Sequence, residues 1–518
     1  MRLITNTAIV VLTLLALIGA GVAQTAWIQQ NELTASDGNA NDTFGYSVAV
    51  SGSTVVVGTP YHTVGSNTAQ GAVYVFVLSG KTWVQQAELT ASDGTANDQF
   101  GYSVAVTNNT VVVGARNRTV GSNQSQGAAY VFVRSGAKWT QQAELTASDG
   151  ANGDSFGTSV GLSGSAVVLG APNKTVGSTA YQGAAYVFVE SGGTWSQQSE
   201  LTSSDGAFGD QFGSSVGVSG STVVVGAWDK AVGLNSIQGV AYVFVRSGTM
   251  WSQQAELTAS DGVANDWFGW SVAVAGNTVV VASPCHKSSS GCPIQPGPGA
   301  AYVFVQSGGT WSQQAELTAS DGAAGDYFGW SVAVTGSTVV VGAPNHNVGS
   351  KQLQGAAYVF QQSGTKWSQQ GALIASDGGA NDGFGDSVAI SGSTIVAGAD
   401  GHIVGGNILG AAYVFVPPAT LTPASATYQA QKAGTTSTAK TFTLTNNQTV
   451  SLTSIAISTT GDFAVSGKTC GTSLAAESKC TVSVTFTPTT TGKRTGKLSV
   501  KDGASNSPQT VSLSGTGD

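Results

Sequence analysis

Hydrophobic positions along this chain come in short runs, four to a unit, and the unit recurs along most of the sequence. One unit reads FGYSVAVTNN, TVVVGARN, QGAAYVFVRSG and KWTQQAELTASDG. The Val-rich and Ala/Tyr/Val/Phe pieces are too brief for helices and have the composition of buried strands. Gly, Asn, Ser and Asp turn signals bound each piece. Trp27, Trp83, Trp139, Trp195, Trp251, Trp311 and Trp367 lie 56 residues apart, except for one step of 60. Seven Phe-Gly pairs keep the same step, at Phe44, Phe100, Phe156, Phe212, Phe268, Phe328 and Phe384. A period of this size with four strands predicts a β-propeller blade. Stacked blades bury both faces of their middle strands, so VVVG and AAYVFV need not alternate with polar residues. Small residues in strand one suit the crowding near the axis.

The ends of the repeat distinguish a closed ring from an open solenoid, which would need atypical capping units. The last unit, from Phe384, has only three strand-like runs (DSVAI, TIVAGAD and GAAYVFV) before Pro417-Pro418. Its missing fourth run is AWIQQNELTAS, Ala26 to Ser36, which stands before the first unit. An N-terminal strand that completes the last blade closes the ring and leaves no unpaired sheet edge there. The expected fold is all-β: a seven-bladed propeller over residues 24–416, followed by a β-sandwich over residues 417–518.

The FG…VVVGAP…GAAYVF phrase resembles the FG-GAP repeat, whose members include the seven-bladed head of integrin alpha chains. The resemblance covers Ala26 to Val416 in seven copies and implies a propeller with an extracellular adhesion role. Integrin-type repeats often carry a D-x-D-x-D-G calcium loop between strands one and two. Here that connection is SGS, TNN, AGN or TGS, with no carboxylate, so that calcium site does not carry over. In the tail, the runs TFTLTNN, SLTSIAIS, CTVSVTFTP, GKLSVKD and QTVSLSGTG read as an immunoglobulin-like sandwich. GDFAVSGKTC, KCTVSVTFTPTTTGKRTGKLSV and VSLSGTG resemble choice-of-anchor-D and Hydin-type domains of bacterial surface proteins, which implies a spacer or stalk.

Composition agrees with export. Only 9% of residues are charged, Gly numbers 70, and a net charge of −8 with no basic run argues against nucleic acid as partner. Arg2, the apolar stretch Ile9 to Ile18 and the small residues of GVAQ read as a signal peptide over residues 1–23, cleaved after Ala23. The apolar stretch is too short to span a bilayer, so the product is expected to be secreted or at the cell surface, and monomeric. Cys285 and Cys292 fall in the longer fifth unit, Cys470 and Cys480 in the tail. That division favours two local disulfides formed in an oxidising compartment. No C-x-x-C pair supports metal binding by these thiols.

Antiparallel strands place the two-to-three and four-to-one loops on one face, where nearly all the chemistry lies. The four-to-one loops follow an SDGxxxD pattern, with Asp37 and Asp42, Asp93 and Asp98, Asp149 and Asp154, and Asp205 and Asp210. Asp261 and Asp266, Asp321 and Asp326, and Asp377 and Asp382 complete the ring, fourteen of the chain's 28 acidic residues. These loops are candidates for calcium or for Asx-turn scaffolding. The two-to-three loops place His62, Arg118, Lys174, Lys230, His286, His346 and His402 at one repeated position, including all four histidines of the chain. They pair as exposed ions with a loop Asp, or form a basic rim for anionic polymers. Trp228, Trp267 and Tyr327 break the symmetry as candidate ligand platforms. Trp270 and Trp330, inside strand one, are read as packing.

These features point to a non-enzymatic secreted or surface protein that presents a loop face to a glycan or protein ligand. The alternatives are a propeller polysaccharide hydrolase or lyase and a purely structural envelope protein. A sevenfold Asp pair offers no single catalytic site, and the best blade-specific pair is Asp386 with Asp400. No Ser/His/Asp motif, phosphate loop or H-E-x-x-H occurs.

Overall fold

The computed structural model describes residues 27–288, 292 and 296–518; the expected signal peptide, residues 1–23, lies outside the described residues, as does Ala26. Every described element is a strand, and among the described residues no helix is long and apolar enough to cross a membrane. Blade 1 comprises Ser47–Ser51, Thr54–Thr59, Ala72–Ser79 and Thr82–Leu89, paired antiparallel in chain order. Blades 2 to 6 repeat this order, with first strands that start at Phe100, Ser159, Ser215, Val272 and Val332.

The second strands are buried along almost their whole length, and Thr54–Thr59 is buried at all six positions. Third strands contribute the largest wholly buried side chains, among them Tyr74, Tyr130 and Tyr186. Each Phe-Gly phenylalanine packs under its own blade, as where Phe100 lies 5.5 Å from Tyr130 and 5.9 Å from Phe132. The adjoining glycine permits close approach of the preceding blade. Gly101 has φ +92°, and a Cβ there would stand 2.6 Å from the Ala72 carbonyl oxygen. No other residue fits that backbone and that gap.

Blade 7 is assembled from both ends of the repeat: Val388–Ser391, Thr394–Ala399, Ala411–Val416 and the N-terminal strand Ile28–Leu33. The closing strand pairs Ile28 with Val416 and Leu33 with Ala412. It also takes its place in two rings of inter-blade bonds. Trp83 Nε1 donates to Gln30 Oε1 at 3.0 Å, as Trp139 does to Gln86. Gln29 Oε1 accepts from Ser376 N at 2.9 Å, as Gln85 does from Ser36 N. The propeller is therefore closed with seven blades, and an open solenoid is excluded.

The tail forms two four-stranded sheets. One contains Ala419–Thr422, Lys440–Asn446, Lys479–Phe486 and Phe463–Lys468; the other contains Ser425–Thr427, Gln509–Gly517, Gly492–Lys501 and Ala456–Thr459. They share one core that includes Phe442, Val482, Phe486, Leu498 and Val511, the layout of a β-sandwich. Both local disulfides are present, Cys285–Cys292 with Cα atoms 5.9 Å apart and Cys470–Cys480 with Cα atoms 5.0 Å apart.

Candidate functional site

Two features occupy the loop face. The first is a ring of seven ionic stations, one per blade. In blade 1, Asp42 Oδ2 accepts a hydrogen bond from Asn39 N at 2.6 Å and lies 2.8 Å from His62 Nδ1. The backbone bond recurs at Asp98, Asp154, Asp210, Asp266, Asp326 and Asp382, at 2.6–2.9 Å. These seven aspartates are buried and act as the scaffold of the SDGxxxD turn. The first aspartate of each loop stays nearer solvent. Asp37, Asp93, Asp149, Asp205 and Asp261 accept bonds from the hydroxyls of third-strand tyrosines at 2.7–3.0 Å.

The basic residue of each blade sits between its two aspartates. Lys230 Nζ is 3.1 Å from both Asp205 and Asp210, and Lys174 Nζ is 3.0 Å from Asp149 and 3.4 Å from Asp154. Arg118 bridges Asp93 and Asp98. His346 and His402 each hold a second aspartate at 2.7 Å through Nδ1, and His346 also faces Asp321. The ion pairs expected from the sequence are in place, but they are withdrawn from water rather than exposed, because the two loops fold over them. None of the seven basic side chains is exposed, and each faces the carboxylates of its own loop pair, the second of them buried. Burial pushes the Lys230 ammonium down, while its bonds to Asp205 and Asp210 push it up and prevail. The bond to Asp42 raises His62 above the ordinary histidine range, and Asp326 does the same for His346.

The second feature is a cavity of about 500 Å³ where the seven first strands converge. The residue after each Phe-Gly lines it: Tyr46, Tyr102, Thr158, Ser214, Trp270, Trp330 and Asp386. Its two walls differ. On one side Trp267 stacks on Trp270 at 5.2 Å and 22°, Trp228 lies 5.1 Å from Trp267, and Trp270 lies 4.7 Å from Trp330. Tyr327 joins Trp330 at 5.5 Å. Trp267, Tyr327, Trp270, Trp330 and Asp386 line an adjoining slot of about 250 Å³. The other side offers small polar groups such as Thr158, Asn173 and Ser214, and the Arg116 guanidinium lies 3.7 Å above the Tyr102 ring.

The structure thus gathers Trp228, Trp267 and Tyr327 into one cluster. It also places Trp270 and Trp330 on the cavity wall, where the sequence reading assigned them to packing. Tyr46, Tyr102 and Arg116 were missed, although one signal for the first two was legible: the residue after Phe-Gly changes from blade to blade while its surroundings repeat. Trp267 and Tyr327 also have positive φ, 60° and 56°, a region that bulky residues seldom adopt. The repeat imposes this backbone, and blade 7 relieves it with Gly383.

With this geometry in hand, comparison with known proteins is decisive for the propeller. The FG-GAP repeat profile matches residues 27–76, 83–132, 139–188, 195–244, 251–304, 311–360 and 367–415. The chain belongs to the FG-GAP repeat family. No curated protein matches it. Among solved structures, the ASH/PapD-like domain of human CEP192 (PapD-like domain 7) is similar at 18% identity over 20% of this chain and 85% of that chain, with a TM-score of 0.17.

Within this FG-GAP propeller the cavity carries one acid of unusual state. Asp386 is half-buried by surface area, yet its carboxyl is packed among protein atoms beside Asp400. Desolvation and then the Asp400 charge hold it well above the ordinary carboxylate range. An acid raised in this way favours folding at low pH and loses that contribution as pH climbs through its folded-state pKa. Asp386→Asn, which mimics the protonated acid, is therefore expected to raise the melting temperature at pH 7–8 and leave it unchanged near pH 3. Equal shifts at both pH values would show that folding leaves the Asp386 pKa unchanged.

Proposed function

We propose that this FG-GAP protein is an exported, non-enzymatic binding protein that seats a glycan against the aromatic wall of the central cavity, with the tail sandwich as spacer. The observation that carries the reading is the cluster of Trp228, Trp267, Trp270, Trp330 and Tyr327 around one cavity. Indole and phenol faces give sugar rings flat apolar contact, while Asp386, Arg116 and the polar wall can orient hydroxyls. The hydrolase alternative rests on Asp386 and Asp400. Only Asp386 of the two lines the cavity, whereas glycosidase carboxyls flank the scissile bond from both sides. We read Asp386 instead as a hydrogen-bonding element of the wall.

The test is capture on an immobilised glycan panel by wild type and by Trp270→Ala/Trp330→Ala. True anchors cost about 2 kcal/mol each on truncation, roughly 30-fold in affinity. Capture should vanish with little change in melting temperature, because Thr158 and Ser214 occupy the same position in other blades. Undiminished capture by the double variant would remove the cavity from the reading. A purely structural protein would give no saturable signal with either form.

A further inference from the structure

The seven ionic stations are not chemically equivalent, and the difference falls on the identity of the basic residue. Blades 2, 3 and 4 have Arg118, Lys174 and Lys230, permanent cations placed between carboxylates. The histidine blades have no such fixed charge, yet three of them keep the two loop carboxylates and the fourth-strand glutamate that blades 2 to 4 also have. We propose that blades 1, 5 and 7 each hold a divalent metal of the zinc class through one histidine and two carboxylates. The trios are His62 with Asp37 and Glu88, His286 with Asp261 and Glu316, and His402 with Asp377 and Glu32.

The ligand atoms of each trio lie within 4.8 Å of one another. In blade 7, His402 Nε2 is 3.8 Å from both Glu32 Oε1 and Asp377 Oδ2. In blade 5, His286 Nε2 is 3.3 Å from Asp261 Oδ2 and 3.8 Å from Glu316 Oε1. Tetrahedral zinc with bonds of 2.0–2.2 Å separates its ligands by about 3.4 Å, so these sites need only small closing movements. His286 is 2% exposed, and its Nε2 has no hydrogen-bond partner while it points at two carboxylates. A buried nitrogen in that position calls for a cation.

The tautomer is set by the scaffold. His62, His286 and His402 present Nδ1 to Asp42, Asp266 and Asp382 at 2.7–3.0 Å. A carboxylate behind the imidazole fixes Nδ1–H and leaves the Nε2 lone pair for the metal, the arrangement that surrounds most histidine-bound zinc. Imidazole plus two carboxylates suits zinc and its neighbours, whereas calcium requires six to eight oxygens. Among the described residues, exposed Lys287 reaches Glu316 at 3.0 Å in blade 5 and competes with a metal there. Blade 6 supplies an internal control: His346 and Asp321 are present, but Ala372 stands where the other blades have glutamate.

The experiment is zinc titration of the chelator-stripped, full-length protein by calorimetry, with cobalt as a spectroscopic substitute. Three equivalents of zinc are expected, together with the visible absorption of low-coordinate cobalt. The triple variant Glu32→Gln, Glu88→Gln, Glu316→Gln should lose all three while it keeps the melting temperature of the stripped wild type. Ala372→Glu should add a fourth equivalent. No saturable zinc, three equivalents retained by the triple variant, or an unchanged count in Ala372→Glu would each overturn the proposal. None of these readouts depends on a ligand in the central cavity.

Discussion

Removal of residues 26–36 is expected to turn a monodisperse protein into an aggregating one. The deletion strips the fourth strand from blade 7 and leaves Ala411–Val416 with a free edge. That strand reads AAYVFV and is buried throughout, so the exposed edge is apolar and able to template pairing with other chains. Leu33, buried against the Phe44 and Tyr74 cluster, is lost as well, at a cost of about 2–5 kcal/mol by itself. The bonds from Trp83 to Gln30 and from Ser376 to Gln29 go with it, each worth about 1 kcal/mol. Against a typical total stability of about 5–15 kcal/mol, this sum is ruinous. Light scattering after size exclusion, with a thermal melt, reads the outcome. A monodisperse deletion with an unchanged melting temperature would contradict ring closure by this strand.

The second large effect is expected at the ionic stations. Asp210→Ala should destabilise the protein by about 3–5 kcal/mol, the usual penalty for leaving a buried charge short of its partner. Asp210 and Lys230 side chains are only 5% and 8% exposed, and Asp210 also ties down Ala207 N at 2.7 Å. Asp205→Ala should cost less, about 1–2 kcal/mol. It chiefly strands the Tyr242 hydroxyl, bonded at 2.7 Å, while Lys230 keeps Asp210. Denaturant unfolding of the two variants checks the ordering; equal, sub-kcal losses would mean that the stations behave as surface pairs.

Most of the propeller was legible because its determinants are local and repeated. The Trp and Phe-Gly spacing fixes the blade, and the orphan AWIQQNELTAS run fixes the closure. The division of cysteines between unit five and the tail fixes both disulfides. What escaped the sequence depends on global geometry. Whether a residue after Phe-Gly is packed or faces open space depends on how far seven first strands stand apart at the axis, and no single repeat states that distance. Trp270 and Trp330, which do pack together, were therefore not also read as cavity wall, and Tyr46 and Tyr102 were overlooked. The burial of the Asp–basic pairs is likewise a property of two loops folding together. Glu88 and Glu316 reach the stations from a fourth strand some fifty residues beyond the paired Asp, and Glu32 from the other end of the repeat, a link that appears only once the blade is built.

The proposed recognition surface is the aromatic wall of the axial cavity. A crystal structure with the oligosaccharide selected by the glycan panel tests it most directly. The account predicts a sugar ring stacked in van der Waals contact, about 4 Å, on Trp270 or Trp330, with a hydroxyl at Asp386. A saccharide bound instead on the short-turn face or on the tail sandwich, with the cavity empty, would contradict it.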